Sequence, residues 1–249
     1  MNKLTVVIIT YNEETNIGRC LDSVCGIADE IIAVDSFSTD RTREIAEQKG
    51  AKVHARKFDS YGIQKNYGNA LASHDYIFSI DADEVLSEEL KQSIIEAKSN
   101  FLHDAYVMNR LNFLGSKPIR TCGWYPDKKL RLFRKNKGKW NEALIHEKLE
   151  MQNMVSVAHL FGDLLHYTYP TQESLIKQSD RFASIAAQQL KDKSLLYLIM
   201  KMLFSPMFKL FRNYFLNLGF MEGSLGWTIC YYQSREVFLK YFLAIKMKR

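Results

Sequence analysis

Three carboxylates in four residues, Asp81, Asp83 and Glu84, directly follow the apolar segment 76–80. This segment is short and rich in β-favouring side chains, which predicts a buried strand. Carboxylates clustered at the end of such a strand are costly unless something binds them, and ligands of open α/β sheets bind at this end of the strands. Asp81 and Asp83, two apart in an extended segment, are expected to project to one side. Hard oxygen ligands in this arrangement suit Mg²⁺ or Mn²⁺ held against phosphates.

An isolated Asp-x-Asp pair fits a solvated acidic turn equally well, so the surrounding elements must decide between the two interpretations. Strands are expected at 4–9, 30–34, 53–55 and 76–80. Helices are expected between them, with Ser38 or Thr39 capping the second one, and Ser87 begins a further helix after the acidic cluster. This alternation predicts an α/β fold with a mainly parallel central sheet and flanking helices.

Polar side chains follow three of these strands. Thr10, Tyr11 and Glu13 follow the first strand, Asp35 the second and Asp81 the fourth. Because the ends of strands in one parallel sheet share an edge, these residues are expected to converge on a site. The sequence has no G-x-G-x-x-G after the first strand and no G-x-x-x-x-G-K-[ST] anywhere. A nucleotide would therefore be held by a metal ion and side chains, not by a glycine loop.

The pattern changes beyond residue 100. Segments 105–114 and 129–134 are predicted strands, and the loop between them carries Trp124 and Tyr125 close to Asp127. Exposed aromatic rings beside an acid suit stacking on sugar faces, although aromatic side chains that simply cover a loop would look the same.

Two histidines in the second half of the chain are candidates for a role in a site. His146 and Glu147 stand together at the end of an apolar stretch, and His166 lies alone in the run 165–169. A lone histidine in such a run is more often a satisfied core residue than a ligand, so His166 is not expected to act.

The basic charge of the protein is concentrated in its tail. Residues 191–249 contain ten Lys/Arg and three Asp/Glu, whereas residues 1–190 contain 24 and 25. Aromatic and Met side chains crowd between these cations, no stretch reaches about 18 uncharged apolar residues, and Pro206 is expected to break a helix. This pattern predicts basic amphipathic helices in a membrane interface, with an ordinary packed helical subdomain as the alternative. We expect an α/β domain at 1–190 and a helical, membrane-associating region at 191–249.

The cysteines and the first residues indicate the compartment. Cys20, Cys25, Cys122 and Cys230 show no C-x-x-C spacing, which is typical of reduced thiols in a cytoplasmic protein. The first apolar segment has only about six residues, too short for a signal peptide or a membrane span. The expected location is cytoplasmic, peripheral on the inner face of the cytoplasmic membrane.

Three motifs in the first 90 residues resemble family 2 glycosyltransferases of the GT-A fold. They are Val-Val-Ile-Ile-Thr-Tyr-Asn-Glu-Glu at 6–14, Val-Asp-Ser-Phe-Ser-Thr-Asp-Arg-Thr at 34–42 and Asp-Ala-Asp at 81–83. Segments 131–134, 145–147 and 219–223 are similar to a narrower group, bacterial lipopolysaccharide-core enzymes such as β-1,4-glucosyltransferases. The resemblance implies inverting transfer of a hexose from a UDP-sugar, such as UDP-glucose, to a lipopolysaccharide-core or other cell-surface glycan.

The resemblance implies a nucleoside pocket at the ends of the first two strands. Thr10, Tyr11 and Glu13 would line the base and ribose, and Asp35 would accept a hydrogen bond from the uracil ring. The sequence departs from the family pattern in the two residues after Asp35, which are Ser-Phe here where Asp and Gly are common. The first Asp is retained, which preserves the nucleotide role.

The resemblance also implies a metal-dependent diphosphate site. Asp81 and Asp83 would contact the ribose and an Mg²⁺ or Mn²⁺ ion on the diphosphate, and Lys65 would reach the phosphates. His146 is expected either to be a further metal ligand or to orient its neighbour.

The chemistry requires one carboxylate to take the proton of the acceptor hydroxyl as that hydroxyl attacks the anomeric carbon. Glu147 is the first candidate for this base and Asp127 the second. A metal ion at Asp83 would neutralise the charge that develops on the diphosphate.

Two other function classes remain open at this stage. Segment 81–85 also fits the D-x-D-x-[TV] signature of haloacid-dehalogenase-like phosphatases, with Asp81 as nucleophile. A catalytically inactive, membrane-docked sugar-binding module is the second alternative. For a transferase, the expected partners are a nucleotide-sugar donor, a lipid-linked or lipopolysaccharide glycan acceptor and an anionic membrane surface. A nucleic acid is not expected.

Overall fold

The computed structural model describes residues 2–142 and 147–248. Within these ranges the strands and α-helices follow one another as β1 (Leu4–Thr10), α1 (Ile17–Val24), β2 (Glu30–Asp35), α2 (Thr42–Gln48), β3 (Lys52–Ala55), α3 (Tyr61–Leu71), β4 (Tyr76–Asp81), β5 (Glu84–Leu86), α4 (Glu88–Ser99), β6 (Ala105–Leu114), β7 (Lys117–Pro118), β8 (Asp127–Arg134), β9 (Gly138–Trp140), β10 (Leu149–Met151), β11 (Val157–Tyr169), α5 (Gln172–Gln188), α6 (Leu195–Phe211) and α7 (Gly223–Lys246). A π-helical turn, Arg212–Leu216, and a 3-10 turn, Gly219–Glu222, lie between α6 and α7.

The chain forms two compact units. One comprises Met1–Arg110 and Asp127–Tyr167, and the other comprises Leu111–Pro126 and Thr168–Arg249. The first unit contains the parallel strands and the second contains α5, α6 and α7. The division of the sequence at residue 190 stays a prediction.

The large sheet is mixed. Its strand order is β3-β2-β1-β4-β8-β6-β11-β5, and β7 pairs with β6. The pairs β1–β2, β1–β4 and β2–β3 are parallel, as the alternation of strands and helices predicts. The pairs β4–β8, β6–β8 and β5–β11 are antiparallel, because β8 and β6 enter the sheet without a crossover helix between them. The predicted α/β class is confirmed.

The parallel part of the sheet is buried on both faces. All seven residues of β1 are buried. Val6 and Ile8 pack on one side in a core that includes Leu21 of α1 and Leu90 of α4. Val7 and Ile9 pack on the other side of the sheet, in a second core. The continuous β-branched run in β1 therefore forms a strand that is covered on both faces. Such an uninterrupted run is typical of a strand in this environment.

Two helix starts differ in how well the sequence predicts them. Ser87 caps α4 as expected, since its hydroxyl accepts a hydrogen bond from the Leu90 N–H at 3.2 Å. The prediction that Ser38 or Thr39 caps α2 is wrong, because the helix begins only at Thr42. The carboxylate of Asp40 accepts from the Thr42 N–H there, at 3.0 Å, and the Ser38 hydroxyl instead donates to Asp35.

The second unit is built mainly from α5, α6 and α7, with Leu198 of α6 buried beside Tyr241 and Ala244 of α7. The prediction that Pro206 breaks the helix is wrong, since α6 continues through it to Phe211. Pro206 is buried in the packing of α6, and its carbonyl accepts a hydrogen bond from the Ser234 hydroxyl of α7 at 2.8 Å. None of the helices in the described ranges is long and apolar enough to cross a membrane.

Candidate active site

The register of the parallel strands brings their polar ends together. Thr10 at the end of β1 pairs with Asp35 at the end of β2, and Ile9 pairs with Asp81 at the end of β4. The expected convergence of these strand ends at one sheet edge is therefore confirmed. The site described below lies within the first compact unit.

A tight turn separates the two aspartates of the Asp-x-Asp motif. The expectation that Asp81 and Asp83 lie in one extended segment is wrong, because β4 ends at Asp81 and β5 starts at Glu84. The Glu84 carboxylate accepts a hydrogen bond from the Asp81 N–H at 3.0 Å and closes this turn. The two aspartates consequently meet different partners.

Asp81 lies between two buried cations. Lys65 Nζ is 3.0 Å from Asp81 Oδ1, and Arg131 Nη2 is 2.9 Å from Asp81 Oδ2. Burial disfavours the charged form of Asp81, but the two cations outweigh it and hold the pKa of this carboxyl well below its ordinary value. Asp81 is therefore ionised at neutral pH.

Glu84 is fully buried, and arginine side chains neutralise it. Arg131 Nη2 lies 2.7 Å from Glu84 Oε1, and Arg110 Nη1 lies 3.3 Å from the same oxygen. Burial opposes the charged guanidinium of Arg131, yet Glu84 and Asp81 outweigh it and raise its pKa. The third acid of the cluster is therefore held by the protein itself and has no need of a metal ion.

These contacts belong to one chain of ion pairs with alternating sign. Its members, in order of contact, are Glu147, Lys65, Asp81, Arg131, Glu84, Arg110, Asp127 and Lys129. The four carboxylates balance the four cations, so this series of ion pairs carries no net charge. A neutral, hydrogen-bonded network meets the condition under which buried charges are tolerated.

The two candidate bases occupy opposite parts of this chain. Glu147 Oε1 accepts from Lys65 Nζ at 2.7 Å, and the Glu147 side chain is 18% exposed. Asp127 meets cations through both oxygens, with Arg110 Nη2 at 2.8 Å and Lys129 Nζ at 3.0 Å. Burial opposes ionisation of Asp127, but the two cations prevail and lower the pKa of its carboxyl. A lowered pKa makes a carboxylate a weaker base.

Asp83 pairs with a histidine that the sequence pattern assigns to the core. His166 Nε2, on β11, lies 3.2 Å from Asp83 Oδ2. Burial disfavours the charge on Asp83, but His166 offsets this effect and the pKa of the Asp83 carboxyl is lowered. The partner of His166 is thus an acid of the Asp-x-Asp motif, and whether His166 is a ligand stays a prediction. His146, the predicted ligand, lies outside the described residues.

The residues after β1 face different environments. Tyr11 is 57% exposed, whereas Thr10 is buried and its hydroxyl oxygen has no hydrogen-bond partner within the described chain. Glu13 accepts a hydrogen bond from the amide of Asn16. Burial raises the pKa of the Glu13 carboxyl, and the Asn16 bond opposes the rise. This end of β1 thus offers an exposed ring and an unpaired buried hydroxyl.

Asp35 is fully buried and shapes the loop after β2. Its carboxylate accepts from both the N–H and the hydroxyl of Ser38. Phe37 has φ of 62° and is 56% exposed. This left-handed conformation is the one that glycine adopts most easily, which explains why Gly is usual there.

The donor set suits a metal ion that arrives with phosphates. In residues 2–142 and 147–248, no cluster of three or more His, Cys, Asp or Glu side chains is arranged to hold a metal. Asp83, whose one oxygen contacts His166, and the ionised Asp81 are nevertheless hard oxygen donors at one strand end. Mg²⁺ is commonly bound by one or two carboxylates together with substrate phosphates and water. The residues present therefore fit a metal site that substrate phosphates complete, and not one in which the protein supplies every ligand.

The sequence pattern did not predict the two arginines that neutralise Glu84. Arg131 and Arg110 neutralise Glu84 and belong to antiparallel strands that pair in register far from the acidic motif in sequence. The local sequence offers no clear signal, because five of the eight residues of β8 are charged and only Arg131 among them is buried. A charged residue buried in a strand requires a partner.

The comparisons with known proteins agree with the motifs. Residues 5–156 match the family described as Glycosyl transferase family 2. An uncharacterized glycosyltransferase of Rickettsia typhi is 30% identical over 200 residues, covering 76% of this chain and 68% of that protein. The lipopolysaccharide core biosynthesis glycosyltransferase LpsC of Rhizobium meliloti is 26% identical over 260 residues, covering 96% of this chain and 93% of that protein.

A partial likeness to a solved structure was also found. Glucosyl-3-phosphoglycerate synthase from Mycobacterium tuberculosis, in complex with Mn²⁺, UDP and glucosyl-3-phosphoglycerate, shares 24% identity with a TM-score of 0.38. The overlap covers 45% of this chain and 44% of that one, less than half of each. We draw no conclusion from so limited an overlap. The family match over residues 5–156 is sufficient alone, and it shows that this chain is a glycosyltransferase of glycosyl transferase family 2.

Proposed function

We propose that this glycosyltransferase moves a hexose from a UDP-sugar to a hydroxyl of a lipopolysaccharide-core or other cell-surface glycan, with inversion at the anomeric carbon. The observation that carries the proposal is the link from Glu147 through Lys65 to Asp81, which sets a candidate base beside the strand end that would receive the donor. The near full-length similarity to LpsC supports the class of acceptor.

The donor diphosphate is proposed to bind at the turn after β4. Asp83 would hold an Mg²⁺ or Mn²⁺ ion with the phosphates, and His166, 3.2 Å from Asp83, is a candidate for a further ligand. A bound divalent ion would stabilise the charge of the departing UDP. Lys65 and Arg131 already contact both oxygens of Asp81, so Asp81 would position the turn that carries Asp83.

Glu147 is proposed as the general base. One of its oxygens accepts from Lys65, and its side chain is still partly exposed, so the other oxygen can take the proton of an acceptor hydroxyl. The hydroxyl then attacks the anomeric carbon opposite the leaving UDP, and a single displacement inverts that carbon. Asp127, the second candidate, serves better as a positioning residue because Arg110 and Lys129 occupy both its oxygens.

The nucleoside is proposed to bind at the ends of β1 and β2. The exposed ring of Tyr11 would stack on the base, and the unpaired hydroxyl of Thr10 and the carboxyl of Glu13 would bond the ribose or base. Asp35 would act by holding the loop with Ser38, since both its oxygens already accept hydrogen bonds.

The acceptor determines where the enzyme would work. Lipopolysaccharide-type acceptors are built on lipid, so transfer would take place at the surface of a membrane, which we propose to be the inner face of the cytoplasmic membrane. The phosphatase alternative lacks support, since the chain is a family 2 glycosyltransferase. The presence of Asp81, Asp83 and Glu147 in one connected region favours an active enzyme over a sugar-binding module with a decayed site.

The experiment is a screen of UDP-sugars against the purified protein, with Mn²⁺ or with EDTA. We expect one donor to raise the melting temperature only with Mn²⁺, and UDP to be released when a lipopolysaccharide-core acceptor is added. Asp83→Asn should abolish the Mn²⁺-dependent shift, whereas the control Asp22→Asn, in an exposed ion pair with Lys49, should retain it. Donor binding that does not depend on Mn²⁺, or that is retained in Asp83→Asn, would contradict the metal assignment.

A further inference from the structure

Helix α6 turns a broad apolar face to solvent. Its outer face comprises Leu196, Leu203, Phe204, Met207, Phe208 and Phe211, whose exposed fractions range from 52% for Leu203 to 72% for Leu196. These positions recur at helical spacing along one side of α6. The opposite side carries the buried Leu198 and Pro206, which pack towards α7. Within residues 2–142 and 147–248 the outer face is therefore uncovered, and a monomeric protein seldom exposes so many large apolar side chains together.

Aromatic rings extend this face past the end of α6. Phe211 contacts Phe215 with ring centroids 5.3 Å apart in a tilted arrangement, and Tyr214 contacts both Phe215 and Trp227. Phe215 and Trp227 are each about half exposed, at 54% and 49%. Half-buried aromatic rings of this kind are characteristic of side chains at the boundary between lipid and water.

The charged residues of the segment that carries this face have one sign. Between Asp192 and Glu222 the sequence contains four cations and no carboxylate; the cations are Lys193, Lys201, Lys209 and Arg212. A second copy of the same face would bring the same cations into contact, which disfavours pairing between copies. A surface that is both apolar and anionic complements this face, and an anionic phospholipid bilayer is such a surface.

A shallow groove on α6 has matching chemistry. It has a volume of about 390 Å³ and is lined by Tyr197, Met200, Lys201, Phe204, Ser205 and Phe208. The lining is mostly apolar with a single cation. This composition suits the acyl chain of a phospholipid whose phosphate group lies at Lys201.

We propose that the outer face of α6, with Lys201 and Arg212 at its border, is the surface through which this protein binds an anionic phospholipid bilayer. The face lies in the headgroup region with its apolar side chains reaching the acyl chains, and the two cations contact lipid phosphates. The proposed function explains why such docking is useful, and the inference rests on it only to that extent. Lipid binding itself needs neither donor nor acceptor, so its failure is distinguishable from failure of the enzymatic assignment.

The test is sedimentation of the full chain with phosphatidylglycerol-containing and with pure phosphatidylcholine vesicles. We expect strong binding to the anionic vesicles, weaker binding to the neutral ones, and weakening by salt. Lys201→Gln with Arg212→Gln should weaken anionic binding roughly 5–30-fold. The matched control, Lys3→Gln with Lys128→Gln, removes the same charge from exposed positions elsewhere and should bind like the parent.

A second comparison keeps the test independent of variants that fail to fold. Phe204→Trp preserves an aromatic side chain on the outer face, and Phe161→Trp is its control on β11, where Phe161 is 78% exposed. Brominated acyl chains should quench the added fluorescence of Phe204→Trp and not that of Phe161→Trp. Absence of parent binding to anionic vesicles would overturn the proposal. So would equal quenching of both variants, or a parent dimer that outer-face substitutions convert to a monomer without any loss of lipid binding.

Discussion

Lys65 Nζ lies 2.7 Å from Glu147 Oε1, although the two residues are 82 positions apart in sequence. Lys65 is fully buried and also contacts Asp81 Oδ1 at 3.0 Å, and its ammonium group lies 4.5 Å from the centre of the Trp140 ring. One cation thus fixes the candidate base relative to the strand end that carries the Asp-x-Asp motif. The same buried cation therefore contributes both to the stability of the fold and to the arrangement of the candidate active site.

Lys65→Met should therefore impair both stability and activity. The change leaves Asp81 and Glu147 without their shared cation, and breaking a buried ion pair typically costs about 3–5 kcal/mol. Urea unfolding measures this loss, and UDP release measures the activity. Lys49→Met is the matched control, because Lys49 pairs with Asp22 at the surface, where such pairs contribute less than about 1 kcal/mol. Equal effects of the two substitutions would show that Lys65 does not hold the site together.

Glu147→Gln and Asp127→Asn should separate catalysis from positioning. Glu147→Gln is expected to retain donor binding and to lower kcat roughly 10²–10⁴-fold, the usual effect of removing a general base. Asp127→Asn leaves Lys129 without its carboxylate partner and Arg110 with Glu84 alone, so it should mainly lower the free energy of unfolding. Steady-state kinetics and urea unfolding of both variants provide the comparison. A loss of kcat confined to Asp127→Asn would transfer the base to that residue.

Glu30 should make stability depend on acid. Its carboxylate accepts from the N–H and hydroxyl of Ser73 and from Thr5; burial opposes the charge, but these bonds lower the pKa of Glu30 to about 2. In the unfolded chain the pKa returns to its ordinary value near 4.5. The folded state therefore gains stability above that value, about 3 kcal/mol, and loses it progressively as the pH falls towards about 2.

Urea unfolding of Glu30→Gln across this pH range checks the prediction. The difference from the parent should be largest near neutral pH and should shrink as the pH falls through the interval between the two pKa values. Glu44→Gln, which removes an exposed partner of Arg41, should differ little from the parent at any pH. A pH-independent difference for Glu30→Gln would mean that its ionisation is not linked to folding.

Two Gly→Ala substitutions should have opposite signs. A Cβ at Gly68 on α3 would lie 2.4 Å from Val7 Cγ1 and 3.0 Å from Val34 Cγ2, so Gly68→Ala should destabilise the protein by about 1–3 kcal/mol. A Cβ at Gly18 on α1 would have its nearest contact at 3.6 Å, with the flexible side chain of Lys49. Gly18→Ala should therefore be neutral or stabilise by up to about 1 kcal/mol. Thermal unfolding of both variants measures the contrast, and a stabilised Gly68→Ala would show that α3 can move away from the sheet.

Local pattern was sufficient for the parallel part of the fold. Continuous β-branched runs, helical spacing and the Ser87 cap each depend on neighbours in sequence, and β1 and α4 form where these signals predict them. The edge of the sheet where the strand ends meet was equally predictable, because parallel strands joined by right-handed crossovers end on the same side. Thr10, Asp35 and Asp81 accordingly lie at neighbouring strand ends.

The partners of the charged residues could not be predicted from sequence, because they are separated by long stretches of chain. Arg131 meets Glu84 across 47 residues, and Lys65 meets Glu147 across 82. His166 shows the same limit, since alternation along β11 cannot tell that Asp83 stands opposite. Sequence by itself determined which residues could do chemistry and which sheet edge would carry them. Only the tertiary structure decided how each charge is neutralised, because burying a charge requires a partner and antiparallel pairing of distant strands supplies it.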